Sequence, residues 1–140
     1  MTDDEMAALA ADFCACTLPR ERWTHGAHFA TALWLILRRP DIVAARDMPG
    51  LIRRYNESVG VVNGDGSGYH ETITQASLRM ARALLTGLPA GVRPATAFAA
   101  LMASPLGGKD WPFTYWSRDR LMSAQARLAW VEPDLTPLPE

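Results

Sequence analysis

Apolar residues recur at helical spacing along most of this chain, and capping residues, prolines and glycines separate the segments. Ile73, Ser77, Met80 and Leu84, for example, follow one another at intervals of three or four residues, and this run ends at Gly87. No stretch alternates apolar with polar residues over five or more positions, as a half-buried strand would. The pattern predicts an all-α fold: a single helical domain over residues 1–140, built as a compact bundle of about five or six helices.

Capping signals predict where the helices begin and end. Thr2 or Asp3 is the predicted N-cap of the first helix, and Thr24 and Ser117 are N-cap candidates further along. Either Ser67 or Thr72 is the cap of the helix that ends at Gly87. Pro49 is interpreted as a first-turn proline, which separates two short helices. Besides the helix that ends at position 87, the predicted helical segments are 3–16, 24–39, 41–46, 49–59, 95–104 and 117–130.

Charge and hydropathy exclude several classes of protein. The chain has 14 basic and 15 acidic residues, a net charge of −1, so it lacks the excess positive charge on which nucleic-acid binding depends. Its longest near-continuous apolar stretch, Phe29 to Leu37, is nine residues long, well short of the ~20 that span a bilayer. The acidic N-terminus does not resemble a signal peptide. These features predict a cytoplasmic protein with no nucleic-acid or membrane partner, and they indicate no oligomeric state.

The only three histidines are His25, His28 and His70, and each falls at a helix start on a face that continues into an apolar stripe. His25 and His28 are three residues apart, so they share one helix face with Cβ atoms roughly 5–6 Å apart. If Thr24 is the N-cap, Trp23 and His28 occupy the two positions of a hydrophobic staple, and we expect their rings to meet.

The histidines lie in segments that resemble an uncharacterised bacterial family of small helical proteins. The matching segments are Trp23-Thr24-His25-Gly26-Ala27-His28-Phe29, Tyr55-Asn56 and Gly68-Tyr69-His70-Glu71-Thr72-Ile73-Thr74. Residues 115–135 also resemble the end of the family's sequences, so the likeness covers most of the chain. The resemblance implies a helical fold and groups these residues together, but it implies no particular reaction.

One hypothesis for the function is a metal site. His25, His28 and His70 would converge on one divalent transition metal, with zinc the favoured ion, at about 2.0–2.1 Å, and one or more positions would stay open for water or substrate. Glu71 would act as general base, provided that residues 69–71 are not helical, and Tyr69 is an alternative catalytic donor. This arrangement predicts a metal-dependent hydrolase or a related small-molecule enzyme.

The alternative is a metal-free ligand-binding or interaction module. In it the histidines form a hydrogen-bond network with Glu71, Tyr69 and the backbone, and any ligand is a small molecule. Two further features stay open in both hypotheses. The glycine-rich segment 60–68 is either an exposed connector or a lid, and the aromatic residues between 111 and 116 either plug the core or line an apolar pocket.

Overall fold

The computed structural model describes residues 1–139, which contain seven α-helices and three short 3₁₀ helices. The α-helices are α1 (Asp3–Cys14), α2 (His25–Arg38), α3 (Ala44–Ser58), α4 (Glu71–Thr86), α5 (Pro94–Ala103), α6 (Arg118–Leu121) and α7 (Ala124–Leu128). The 3₁₀ helices span Arg20–Arg22, Pro105–Gly107 and Trp111–Thr114. Within residues 1–139 there is no strand, so the predicted all-α class is confirmed, with slightly more helices than predicted.

The first two helices begin where the capping signals place them. The Thr2 hydroxyl accepts the Glu5 N–H at 3.1 Å and the Glu5 carboxylate accepts the Thr2 N–H at 3.1 Å, which is a complete capping box. Thr24 caps α2 by accepting the Ala27 N–H at 3.2 Å. Helix α2 carries the most buried apolar residues and packs against both α1 and α5.

Helix α3 corrects the prediction of two short helices. Pro49 lies inside a single helix, Ala44–Ser58, rather than at a first turn. Proline has no N–H for the carbonyl four residues before it, here that of Ala45. The side-chain amide of Gln75, on α4, donates to this carbonyl at 2.9 Å. A neighbouring helix therefore supplies the donor that the proline removes.

The C-terminal segment also departs from prediction. Ser117 caps a helix as predicted, but that helix ends at Leu121, and Ser123 caps a second one. The chain after α7 then returns across the segment, where the Trp116 indole N–H donates to the Val131 carbonyl at 3.1 Å. Two short helices and a stretch of irregular chain thus replace the single helix predicted to residue 130.

Buried apolar side chains from α1 to α5 and from the C-terminal segment form one core. Its largest fully buried members include Phe13, Tyr55 and Trp116. The Tyr55 hydroxyl is satisfied by donating to the Leu18 carbonyl at 2.9 Å. Among residues 1–139, every helix is too short or too polar to cross a membrane.

Candidate functional site

His25 and His28 occupy the first turn of α2, and aromatic packing fixes their position. The Trp23 and His28 rings lie 3.9 Å apart between centroids, which confirms the predicted staple. On its other side, Trp23 stacks on Phe13 of α1 at 4.4 Å with an interplanar angle of 12°. Trp23 therefore packs both against α1 and against the first turn of α2.

His28 has one nitrogen engaged and one free. Its Nδ1 lies 2.6 Å from the Thr24 carbonyl oxygen, and because a carbonyl only accepts, Nδ1 carries the proton. Its Nε2 has no hydrogen-bond partner among residues 1–139. The ring keeps access to solvent, yet the surrounding protein atoms desolvate it, and this lowers the pKa of His28 below its ordinary value. The Nε2 lone pair is consequently available near neutral pH.

His25 shows the opposite tautomer. Its Nε2 donates to the Leu106 carbonyl at 2.8 Å, which leaves Nδ1 as an acceptor without a partner among the described residues. The ring packs nearly perpendicular to that of Phe29, with centroids 5.3 Å apart and an interplanar angle of 88°. Each of the two α2 histidines thus retains one unused imidazole lone pair.

His70 is placed differently, because both of its nitrogens are used within the fold. Its Nδ1 accepts the Ile73 N–H at 3.1 Å, so His70 itself is the N-cap of α4 and the predicted caps Ser67 and Thr72 are wrong. Its Nε2 donates to the Leu121 carbonyl at 2.7 Å. Burial lowers the pKa of His70, which favours the neutral ring that both bonds require.

Tyr69 and Glu71 form a separate pair. The buried Tyr69 hydroxyl donates to the Glu71 carboxylate at 2.5 Å, and the Arg53 guanidinium lies 4.4 Å above the Tyr69 ring. Burial, together with this hydrogen bond, raises the pKa of Tyr69 above its ordinary range. Residues 69 and 70 are not helical, but Glu71 is the first residue of α4, so the condition for a catalytic Glu71 is met only up to residue 70. The Glu71 carboxylate is also engaged with Tyr69.

An apolar pocket of about 250 Å³ lies between α2, α3, α4 and the segment that contains the second and third 3₁₀ helices. We call it the histidine pocket, because His25 and His28 form part of its wall. An apolar cavity of about 150 Å³ is enough for benzene, so this pocket has room for a somewhat larger molecule. Its apolar wall consists of Phe29, Ala32, Met48, Ile52, Ile73, Leu78, Trp111, Pro112, Phe113 and Leu121.

The polar part of the wall is small. Besides the two histidines it contains Thr74, Ser77 and Lys109, and no aspartate or glutamate. The Ser77 hydroxyl has no hydrogen bond within residues 1–139. A mostly apolar cleft with a few polar groups is the usual form of a small-molecule site.

Two of the three predicted histidine ligands therefore meet at one pocket and the third does not line it. Among residues 1–139, no group of three or more His, Cys, Asp or Glu side chains is placed to hold a metal ion. Neither Glu71 nor Tyr69, the predicted catalytic residues, belongs to the pocket wall. The zinc site stays a prediction.

The glycine-rich segment 60–68 contributes no residue to the pocket, and hydrogen bonds hold it elsewhere in the fold. The Asn63 side-chain oxygen accepts both the Asn56 amide and the Tyr69 N–H, each at 3.0 Å. Gly68 has φ +78°, and a Cβ there would lie 2.5 Å from the Val62 carbonyl oxygen. The segment is thus a connector with a fixed conformation at its end.

The sequence does not identify Lys109 as a pocket residue. It also leaves open whether the aromatic residues between 111 and 116 line a pocket or fill the core. Trp111 and Phe113 line the pocket, whereas Trp116 is a core residue with no exposed surface. Ser77 is recognisable as a polar residue on the inner face of α4. Lys109 gives no comparable signal, because it lies in an irregular segment between the two 3₁₀ helices.

Comparison of the chain with protein-family models, with curated proteins and with solved structures finds no match. The resemblance described from the motifs therefore stays a prediction.

Proposed function

We propose that this protein is a metal-free binding protein for a small, mostly apolar molecule that occupies the histidine pocket. The observation that carries the proposal is the pairing of an apolar wall with two imidazole nitrogens, His25 Nδ1 and His28 Nε2, that have no partner among residues 1–139. Each nitrogen is an acceptor in the neutral ring. The favoured ligand has an apolar body and a hydroxyl or N–H group that donates to an imidazole.

Phenol and toluene are suitable probes, since both match the apolar wall and only phenol has a donor. We expect phenol to bind the wild-type protein about fivefold more tightly than toluene, the value of one ordinary hydrogen bond. At 100 times its Kd, a bound probe raises the free energy of unfolding by about 2.7 kcal/mol. Thermal unfolding and isothermal titration calorimetry measure these two effects.

Two leucine substitutions on α4 provide a matched pair for this test. Ser77→Leu fills the histidine pocket, whereas Ala83→Leu adds the same side chain at a half-buried position that borders a different groove. We expect Ser77→Leu to abolish binding and Ala83→Leu to preserve it. Probe binding that is equal in both variants would contradict the proposal.

The metal-dependent hydrolase predicted from the sequence is distinguished by metal content. It requires an imidazole nitrogen of His70, and both of these are in hydrogen bonds to protein groups. Elemental analysis of tag-free protein is the measurement. Stoichiometric zinc in the wild type that is lost in His25→Ala, His28→Ala and His70→Ala would establish the metal site and overturn the metal-free proposal.

A further inference from the structure

The ionisable side chains in the wall of the histidine pocket are all basic. They are His25, His28 and Lys109, and no carboxylate joins them. The absence of an acidic side chain from this wall contrasts with the 15 acidic residues of the chain. The pocket therefore has a charge bias that the composition as a whole lacks.

Lys109 is the only lysine or arginine in the pocket wall and gives it a positive charge. It is the only lysine of the chain and is exposed where the pocket meets solvent. Within residues 1–139, no carboxylate lies within 4.0 Å of its ammonium group, and the three ion pairs found there all involve arginine. An unpaired ammonium group at the rim of an apolar pocket is complementary to an anionic group on the ligand.

We propose that the ligand of the histidine pocket is an amphipathic monocarboxylic acid, whose carboxylate pairs with Lys109 while its apolar body lies against Phe29, Ile52 and Leu78. This inference rests on the proposed function and adds the charge class of the ligand. One ammonium group neutralises one carboxylate charge. No arginine belongs to the wall, so the second charge of a phosphate monoester would have no partner there.

The hydrogen-bonding chemistry of the imidazoles determines which part of the ligand can lie beside them. The free nitrogens of His25 and His28 are acceptors in the neutral rings, and a carboxylate oxygen also only accepts. The carboxylate therefore lies at the Lys109 rim, and a separate donor group of the ligand faces the imidazoles. The acid 3-(4-hydroxyphenyl)propanoate has this layout and is the probe that we choose.

The test compares this acid with its neutral amide, which keeps the ring and the phenolic donor. We expect the wild-type protein to bind the acid about three- to fivefold more tightly at low salt, the upper part of the range of an exposed ion pair, and the preference to fall as salt is added. Lys109→Met should remove the preference, so that this variant binds the acid and the amide equally. Arg82→Met removes an exposed cation from α4 that does not line the pocket, and it should keep the wild-type preference.

The outcomes separate this inference from the proposed function. Equal binding of acid and amide by the wild type overturns the carboxylate inference and leaves the binding function intact. A preference that survives in Lys109→Met overturns the role of Lys109. If neither compound binds and phenol also fails to bind, the proposed function itself is wrong.

Discussion

His70 uses both imidazole nitrogens to join two parts of the fold. One nitrogen caps α4 and the other bonds the last residue of α6, 51 positions along the chain. The first bond needs a lone pair on Nδ1, so protonation of the ring removes the cap. The positive charge of Arg127 also opposes a positive charge on the ring, which lowers the pKa of His70 further. His70 is therefore a structural residue that depends on being neutral.

The stability of the protein should fall in mild acid for this reason. The pKa of His70 is lower in the folded state than the ordinary value of 6.5, so the unfolded chain binds more protons at acidic pH. The stabilisation is complete above about pH 6.5 and is lost as the pH falls through the folded-state pKa. The pKa of His28 is shifted in the same direction and adds to the effect. Urea denaturation between pH 8 and pH 5 measures it.

His70→Asn is the informative variant, since asparagine keeps a capping oxygen but does not titrate. We expect a loss of about 1–3 kcal/mol at pH 8, from the unpaired Leu121 carbonyl, and a shallower decline of stability toward pH 5. The same decline in both proteins would contradict the assignment of the pH dependence to His70.

The sequence predicts correctly that His70 lies at a helix start. It does not predict the role of His70, because imidazole is not among the usual capping groups and its partner on α6 is remote in sequence.

At the scale of elements, α3 and α4 share a hydrogen bond that compensates for a proline. Pro49 leaves the Ala45 carbonyl without its helical donor, and the Gln75 amide replaces it at 2.9 Å. We expect Gln75→Ala to cost about 1 kcal/mol in the wild type. In the Pro49→Ala background the backbone N–H takes over the carbonyl, so the same substitution should cost less. Chemical denaturation of the four proteins closes this double-mutant cycle.

A cycle without coupling between the two positions would show that Gln75 does not compensate for the proline.

The contact between Gln75 and Ala45 also explains why the prediction of two helices is wrong here. The signals at Thr2, Thr24 and Ser117 are local and were interpreted correctly, because a cap and its N–H partners lie within one turn. The donor for Ala45 comes from 30 residues away, and local patterns contain no information about it.

At the scale of the whole molecule, the chain after α7 is held by Trp116. This side chain is fully buried and donates to the Val131 carbonyl, while the nearby Trp130 is half-buried and donates to the Glu132 carboxylate. Trp116→Phe should cost about 2–3 kcal/mol, from the unpaired carbonyl and the space left in the core. Trp130→Phe should cost less than about 1 kcal/mol. Similar losses in the two variants, measured by urea denaturation, would contradict this account.

The sequence predicts only part of the candidate site, because the wall of the pocket is formed by segments that are far apart in the chain. Helical periodicity placed His25 and His28 together on an inward face, and the aromatic residues before position 117 were recognised as possible pocket lining. The wall, however, combines α2 with residues about 80 positions later, such as Lys109. Packing of separate segments brings them together, and no spacing within one segment indicates it.

The solitary lysine has a practical consequence for experiments on this chain. Reductive methylation with ¹³C-formaldehyde modifies primary amines, and within these 140 residues the side chain of Lys109 is the one available besides the terminal amine. The resulting labelled methyl groups would lie at the mouth of the pocket, and their NMR chemical shifts would change when a ligand binds there.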